Sequence, residues 1–138
     1  MFVLDTNVVS ELRKVRAGRA DAGVAEWAGT VDASVLCLSA ITVMELEMGV
    51  LLLERKDTRQ GAIMRAWLDQ HVMREFSDRI LPIDAAVARC CAALHIPDPV
   101  SERDALIAAT GLVHGMTIVT RNVADFQRTG VALFNPWG

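Results

Sequence analysis

The chain has 138 residues, a length that suits one domain spanning 1–138. With 52% hydrophobic residues it can bury an ordinary core, and 17 acidic against 14 basic side chains argue against a surface built wholly for nucleic acid. No apolar run reaches the roughly 20 residues of a membrane span, and the N-terminus lacks the basic start and apolar run of a signal peptide. Of the three cysteines, Cys90 and Cys91 are neighbours, which rarely pair with each other. They read as reduced thiols in a cytoplasmic protein. There is no C-x-x-C, and His71, His95 and His114 lack zinc-ligand spacing.

Met1 to Leu4 form a short apolar run with no alternation, which predicts a strand covered on both faces, with Asp5 at its end. Thr6 to Leu12 suits a short helix. A basic patch follows at Arg13, Lys14, Arg16 and Arg19, and residues 21–29 suit a second short helix through Val24 and Trp27. Val35 to Leu38 is the next strand, and Ser39 caps a long helix from about Ala40 to Glu54 or Arg55. Thr58 to Phe76 reads as one helix with Ile63, Trp67 and Leu68 on one face. Arg79 to Ile83 is a strand whose proline favours an edge position. Asp84 caps a helix through Leu94, and Ser101 begins a helix apolar almost all round, the mark of a buried one, with Gly115 where a closing glycine belongs. Met116 to Thr120 and Val131 to Phe134 are the last strands, with a short helix or turn from Asn122 to Gln127 between them. Alternating strands and helices predict an α/β protein with three α/β/α layers around a central, mainly parallel sheet of about five strands.

In such a sheet, elements leaving the strands' carboxyl ends begin at a common edge. Asp5, Glu45 and Asp125 converge there by topology, and Asp104 joins them if its helix also starts at that edge. Each acid has a structural alternative. Asp104 and Asp125 follow Ser101 and Asn122 by three, as in a capping box, and acids are favoured in first helical turns. Asp5 suits a turn. Glu45 is harder to explain that way, because Ile41, Thr42, Met48 and Leu52 put it on a largely apolar stripe, while Glu47 and Glu54 can point elsewhere. Clustered carboxylates repel, and only Arg121 stands at a strand end to offset them. A hard divalent cation such as Mg²⁺ would resolve the repulsion and suit phosphodiester hydrolysis. Thr6, Asn7, Thr120 and Asn122 can orient the ligands or bound water.

Other chemistries lack their residues. Lys14 and Lys56 are misplaced for a receiver domain, and Asn7 stands where an aspartate-nucleophile phosphatase needs its second acid. No nucleotide-cradle or serine-hydrolase motif occurs.

Val3-Leu4-Asp5-Thr6-Asn7 resembles the opening of PIN-domain nucleases, as does the S-x-x-T-x-x-E-L-x-x-G run from Ser39 to Gly49. Asp104-Ala105-Leu106-Ile107-Ala108-Ala109-Thr110 resembles their third motif, and Thr120-Arg121-Asn122-Val123-Ala124-Asp125-Phe126 their fourth. The Asn135-Pro136-Trp137 ending is similar to that of VapC toxins of type II toxin–antitoxin systems, while Gly111 stands where alanine is usual. The resemblance covers essentially the whole chain. It implies a PIN-like fold and a Mg²⁺- or Mn²⁺-dependent endoribonuclease. In it Asp5 and Asp104 are the most direct metal ligands, Glu45 binds metal or activates water, and Asp125 completes a second metal position. It further implies an RNA substrate, a homodimer, and an inhibitory antitoxin whose tail blocks the toxin's groove and whose other half binds operator DNA. Arg13, Lys14, Arg16, Arg19 and Arg121 then become candidates for RNA or antitoxin contact, against the alternative of a solvated loop. A catalytically silent binding or dimerisation module and a nuclease acting on DNA are the competing readings.

Overall fold

The computed structural model describes residues 1–138. Five short strands, β1 (Phe2–Leu4), β2 (Leu36–Ser39), β3 (Ile80–Leu81), β4 (Thr117–Val119) and β5 (Leu133–Phe134), form one parallel sheet in the order β3-β2-β1-β4-β5. The first strand of the chain is therefore the middle one, and β3, which stops at the residue before Pro82, is an edge, as the sequence predicts. The register sets Val3 beside Cys37 on one side and Ile118 on the other.

Successive strand residues face opposite sides of a sheet, so an apolar strand feeds two cores. Leu4, Leu38 and Val119 join Val8, Val9, Leu46, Val50 and Leu68 on one face. That core is built from α1 (Thr6–Leu12), α3 (Ala40–Lys56), α4 (Thr58–Trp67) and the turn that follows α4. Val3 and Ile118 meet Ile107, Ala108 and Phe126 on the other face, from α7 (Glu102–His114) and α8 (Val123–Phe126). Behind α7, α6 (Ala85–Leu94) packs Val87 and Cys91 against Ala105 and Ala109. The helix α2 (Ala22–Thr30) is capped by Asp21 and brings Trp27 edge-on to Phe2, at a centroid distance of 5.9 Å. These are the three layers the sequence implies.

Local chemistry starts the helices. The side chains of Asp5, Asp21, Ser39, Asp57 and Asp84 each accept a backbone N–H in the first turn of the helix they precede. Gly115 takes a left-handed φ of 63° and ends α7, which lets the chain enter β4 two residues later. No helix is long and apolar enough to cross a membrane.

Several expectations need correction. The helix expected over Thr58 to Phe76 contains a π-helical turn at Leu68–Val72, followed by the short α5 (Met73–Glu75). Leu68, Val72 and Phe76 are buried, and in the regular turns before them Met64, four residues ahead of Leu68, packs inward while Ile63 is 52% exposed. The helix α7 is buried through its middle, yet Leu112 and Val113 near its end are partly exposed.

Candidate active site

Asp5 leaves the end of β1, only 6% exposed, and its backbone N–H still pairs with Val119 O at 2.9 Å. Its side chain is held from three sides. Oδ1 accepts the Thr6 N–H at 2.8 Å, while Oδ2 accepts the Thr120 hydroxyl at 2.8 Å and the Asn7 amide at 3.4 Å. The Thr120 hydroxyl is itself fixed, because it accepts the Asn122 N–H at 2.9 Å. Of the four predicted supporting residues, Thr6, Asn7 and Thr120 touch Asp5 directly, and Asn122 acts through its backbone on Thr120.

Glu45 sits in the second turn of α3, and α3 is locked to β1 by the buried Thr42 hydroxyl, which donates to Leu4 O. Thr6 donates its hydroxyl to Glu45 Oε1 at 2.6 Å, so one threonine links two acids: its N–H to Asp5 and its hydroxyl to Glu45. Glu47 and Glu54 do point elsewhere, both onto Arg65 of α4. Because α7 leads straight into β4, it runs back along the sheet and starts at the same edge as the ends of β1 and β2, carrying Asp104 there. Asp125 stands exposed in α8, just after β4.

The capping boxes of the last two acids are incomplete, although both acids stand in first helical turns, where a carboxylate is favoured. Neither Ser101 nor Asn122 makes a side-chain cap bond to its helix. Asp104 also responds to the other acids. Burial raises its carboxyl above the usual range, and the charges of Asp5, Asp125 and Glu45 raise it further, against a smaller opposing contact from Ser101. Burial likewise raises Asp5. The Thr120 hydroxyl and Thr6 N–H work against that rise, and the charges of Glu45 and Asp125 add to it. Asp5 and Asp104 thus each lie within electrostatic reach of Glu45 and Asp125, and Asp104 of Asp5. No three Asp, Glu, His or Cys side chains, however, stand close enough together to grip a metal ion as they are now arranged.

The donor set nevertheless fits a hard cation. All donors are oxygens, two carboxyls are held above their normal range by burial and mutual repulsion, and every contact to Asp5 is neutral. One basic group approaches, and sequence reasoning missed it. Arg103 Nη1 lies 3.6 Å from Glu45 Oε2. No charge pattern signals this pair, because it depends on where α7 crosses α3. Arg121, the expected neutraliser, lies over the Trp137 ring at 5.5 Å, and its backbone N–H donates to Asn7 Oδ1 at 3.4 Å. The basic patch makes no ion pair with the four acids. Lys14 pairs with Glu11, Arg13 lies over Trp67, and Arg13 and Arg16 line an apolar groove of about 400 Å³ with Trp27, Trp67 and Phe76. A second hollow of about 280 Å³ shares Trp67 with that groove and reaches Thr6 and Glu45.

The family model described as PIN domain matches residues 2–132. This chain belongs to the PIN-domain family. It is 36% identical over 142 aligned positions to a VapC ribonuclease of Sinorhizobium fredii, covering 99% of this chain and 98% of the relative. It is 36% identical over 143 positions to Toxin FitB of Neisseria gonorrhoeae, covering 99% of each. The crystal structure of FitAcB from Neisseria gonorrhoeae superposes with a TM-score of 0.88 at 34% identity, over 99% of both chains. FitAB bound to an IR36 DNA fragment gives the same TM-score at 34% identity, over 100% of this chain and 96% of that one. In this chain Asp5, Glu45, Asp104 and Asp125 stand on elements that meet at one sheet edge.

Proposed function

We propose that this protein is a Mg²⁺-dependent endoribonuclease, with Mn²⁺ able to substitute, and the toxin of a toxin–antitoxin pair. The observation that carries the reading is the buried Asp5, raised by burial and by neighbouring acids at the end of the central strand, with only neutral donors against it. The full-length similarity to a VapC ribonuclease and to Toxin FitB supports RNA as substrate and the toxin role.

Asp5 and Asp104 would hold the ion most directly, with Glu45 and Asp125 completing its surroundings. Bound there, Mg²⁺ would supply positive charge for a phosphoryl oxygen and acidify water. The chain's own work is positional. Thr120 and Thr6 fix both oxygens of Asp5, and the Thr6 hydroxyl holds Glu45 Oε1, leaving Oε2 to accept a proton from attacking water. Neutral donors orient Asp5 without cancelling the charge an ion would need.

The antitoxin, by this reading, occupies the two hollows that meet at Trp67 and lead to Glu45, and operator DNA is contacted through the antitoxin alone. A homodimer would use the exposed apolar face of α3, where Met44, Met48, Leu51 and Leu52 recur at helical spacing. The free cysteines favour a cytoplasmic location.

The test is cleavage of RNA and of single-stranded DNA side by side, in Mg²⁺ and then in EDTA, by the wild type and by Asp5→Asn and Glu45→Gln. RNA cleavage that needs both the metal and the acids is expected. Cleavage that survives EDTA and both substitutions would end the metal reading, and a preference for DNA would end the ribonuclease one.

A further inference from the structure

Four acids at one edge present a difficulty for any polynucleotide: its phosphates are repelled by the groups meant to act on them. Counter-charge on the protein is therefore needed where the backbone enters. Arg103 is the only basic side chain within an ion-pair distance of any of the four acids. It projects from the first turn of α7 next to Asp104, and its side chain is 49% exposed.

Two details show that Arg103 is more than the fixed partner of Glu45. Its approach of 3.6 Å is too long for a hydrogen bond, so the guanidinium donates to no group in the chain. Glu45 does not depend on it either, because the Thr6 hydroxyl already holds Oε1 at 2.6 Å. Three other cations of the basic patch and of the strand end have partners of their own. Arg13 and Arg121 lie over Trp67 and Trp137, and Lys14 is paired with Glu11. A planar fork with free donors, part in solvent and beside an acidic site, suits bidentate contact with a phosphate.

We infer that Arg103 is a substrate-binding residue, whose guanidinium takes a phosphate of the single-stranded polynucleotide backbone as the strand enters beside Glu45. This rests on the ribonuclease reading above and adds a residue to it. In the ligand-free protein Arg103 rests near Glu45 Oε2, and a strand draws it onto phosphate, freeing that oxygen.

The test is binding of a fluorescein-labelled, mixed-sequence 20-nucleotide RNA to the full chain in CaCl₂, followed by anisotropy across a KCl series. Each phosphate contact on a single strand adds about 0.7 to the slope of log affinity against log salt. Arg103→Gln should lower that slope by about 0.7 and weaken binding roughly tenfold at low salt. Arg103→Lys should restore the slope but only part of the affinity, since lysine keeps the charge and loses the fork. Arg89→Gln, on the exposed side of α6, should match the wild type. An Arg103→Gln chain with wild-type slope overturns the inference, whether or not its melting temperature falls. So does an equal change in Arg89→Gln. A wild-type chain that neither binds nor cleaves RNA overturns the ribonuclease reading and this inference together. Wild-type cleavage with an unchanged slope in Arg103→Gln overturns this inference alone.

Discussion

Replacing Asp104 by Asn should make the ion-free protein more stable while destroying its activity. Asp104 is part-buried and feels three carboxylates, with only a Ser101 contact in its favour. At partly screened sites such repulsions are worth about 0.3–0.5 kcal/mol each, so three sum to about 1–1.5 kcal/mol. Burial of the charge adds to this, and a weakened Ser101 contact offsets about 0.5 kcal/mol. A net gain of about 1 kcal/mol corresponds to a rise in Tm of roughly 3–5 °C for a chain of this size. The pH dependence follows from the direction of the shift. A carboxyl raised in the folded state binds its proton more tightly there, so Asp104 costs the wild type stability as pH climbs above 3.8, a cost the variant lacks although both retain that of Asp5. The advantage of Asp104→Asn should be near zero at about pH 3.5 and reach a plateau by neutral pH. Thermal melts of both proteins in EDTA between pH 3.5 and 7.5 measure it. Adding MgCl₂ should then reverse the order, because an ion at one hundred times its Kd stabilises the wild type by about 2.7 kcal/mol. A variant less stable than the wild type at pH 7 in EDTA, or a gap that does not widen with pH, refutes the reasoning.

Thr120→Val removes the hydroxyl that holds Asp5 and receives the Asn122 N–H. A loss of about 1–3 kcal/mol in urea unfolding, with cleavage reduced by more than the unfolded fraction explains, is expected. In Gly111→Ala the new methyl would meet Ile118 Cδ1 at 2.7 Å and Met116 O at 3.2 Å. Alone it should destabilise by about 1–3 kcal/mol, but combined with Ile118→Val, which deletes that Cδ1, the double variant should lose at least 0.5 kcal/mol less than the sum of the two. Phe126→Ala, in the fully buried core beneath the site, should cost about 3–5 kcal/mol and leave little folded protein at 37 °C. The proposed homodimer through α3 predicts that Leu52→Glu, on its exposed face, gives a folded monomer in light scattering where the wild type gives a dimer. A dimer that persists assigns the contact to another face.

The sheet was readable because β1, β2 and β4 are uninterrupted apolar runs flanked by clear caps, so length and punctuation identified them. Topology alone brought Asp5, Glu45 and Asp125 to one edge. Asp104 needed the direction of α7, which follows only from its short connection to β4. The side-chain wiring was less legible. Nothing in the order of residues says that the Thr6 hydroxyl chooses Glu45, 39 positions away, or that Arg103 approaches it from α7. Ile63 was assigned to the wrong face for a different reason. On the regular helix α4 the inward row is Gly61, Met64 and Leu68, at spacings of three and four, and Ile63 lies off that row. Met44 and Met48 illustrate that an apolar residue is free to lie outside when a helix has more apolar positions than core to fill.

The strand order has a consequence for synthesis on the ribosome. The middle strand emerges first, and one neighbour, β2, follows within 40 residues, but the other side of β1 stays open until β4 appears at Thr117. The hydroxyl that fixes Asp5 comes from Thr120, 115 positions downstream, and Asp104 and Asp125 also lie late in the chain. A nascent chain halted before Thr117 carries three of the four acids but lacks Asp125 and the Thr120 hydroxyl that holds the first. Sequence-distant pairing of this kind closes slowly. Assembly of the site is thereby deferred until β4 and Thr120 have been made, and products truncated before Thr120 are expected to be inert.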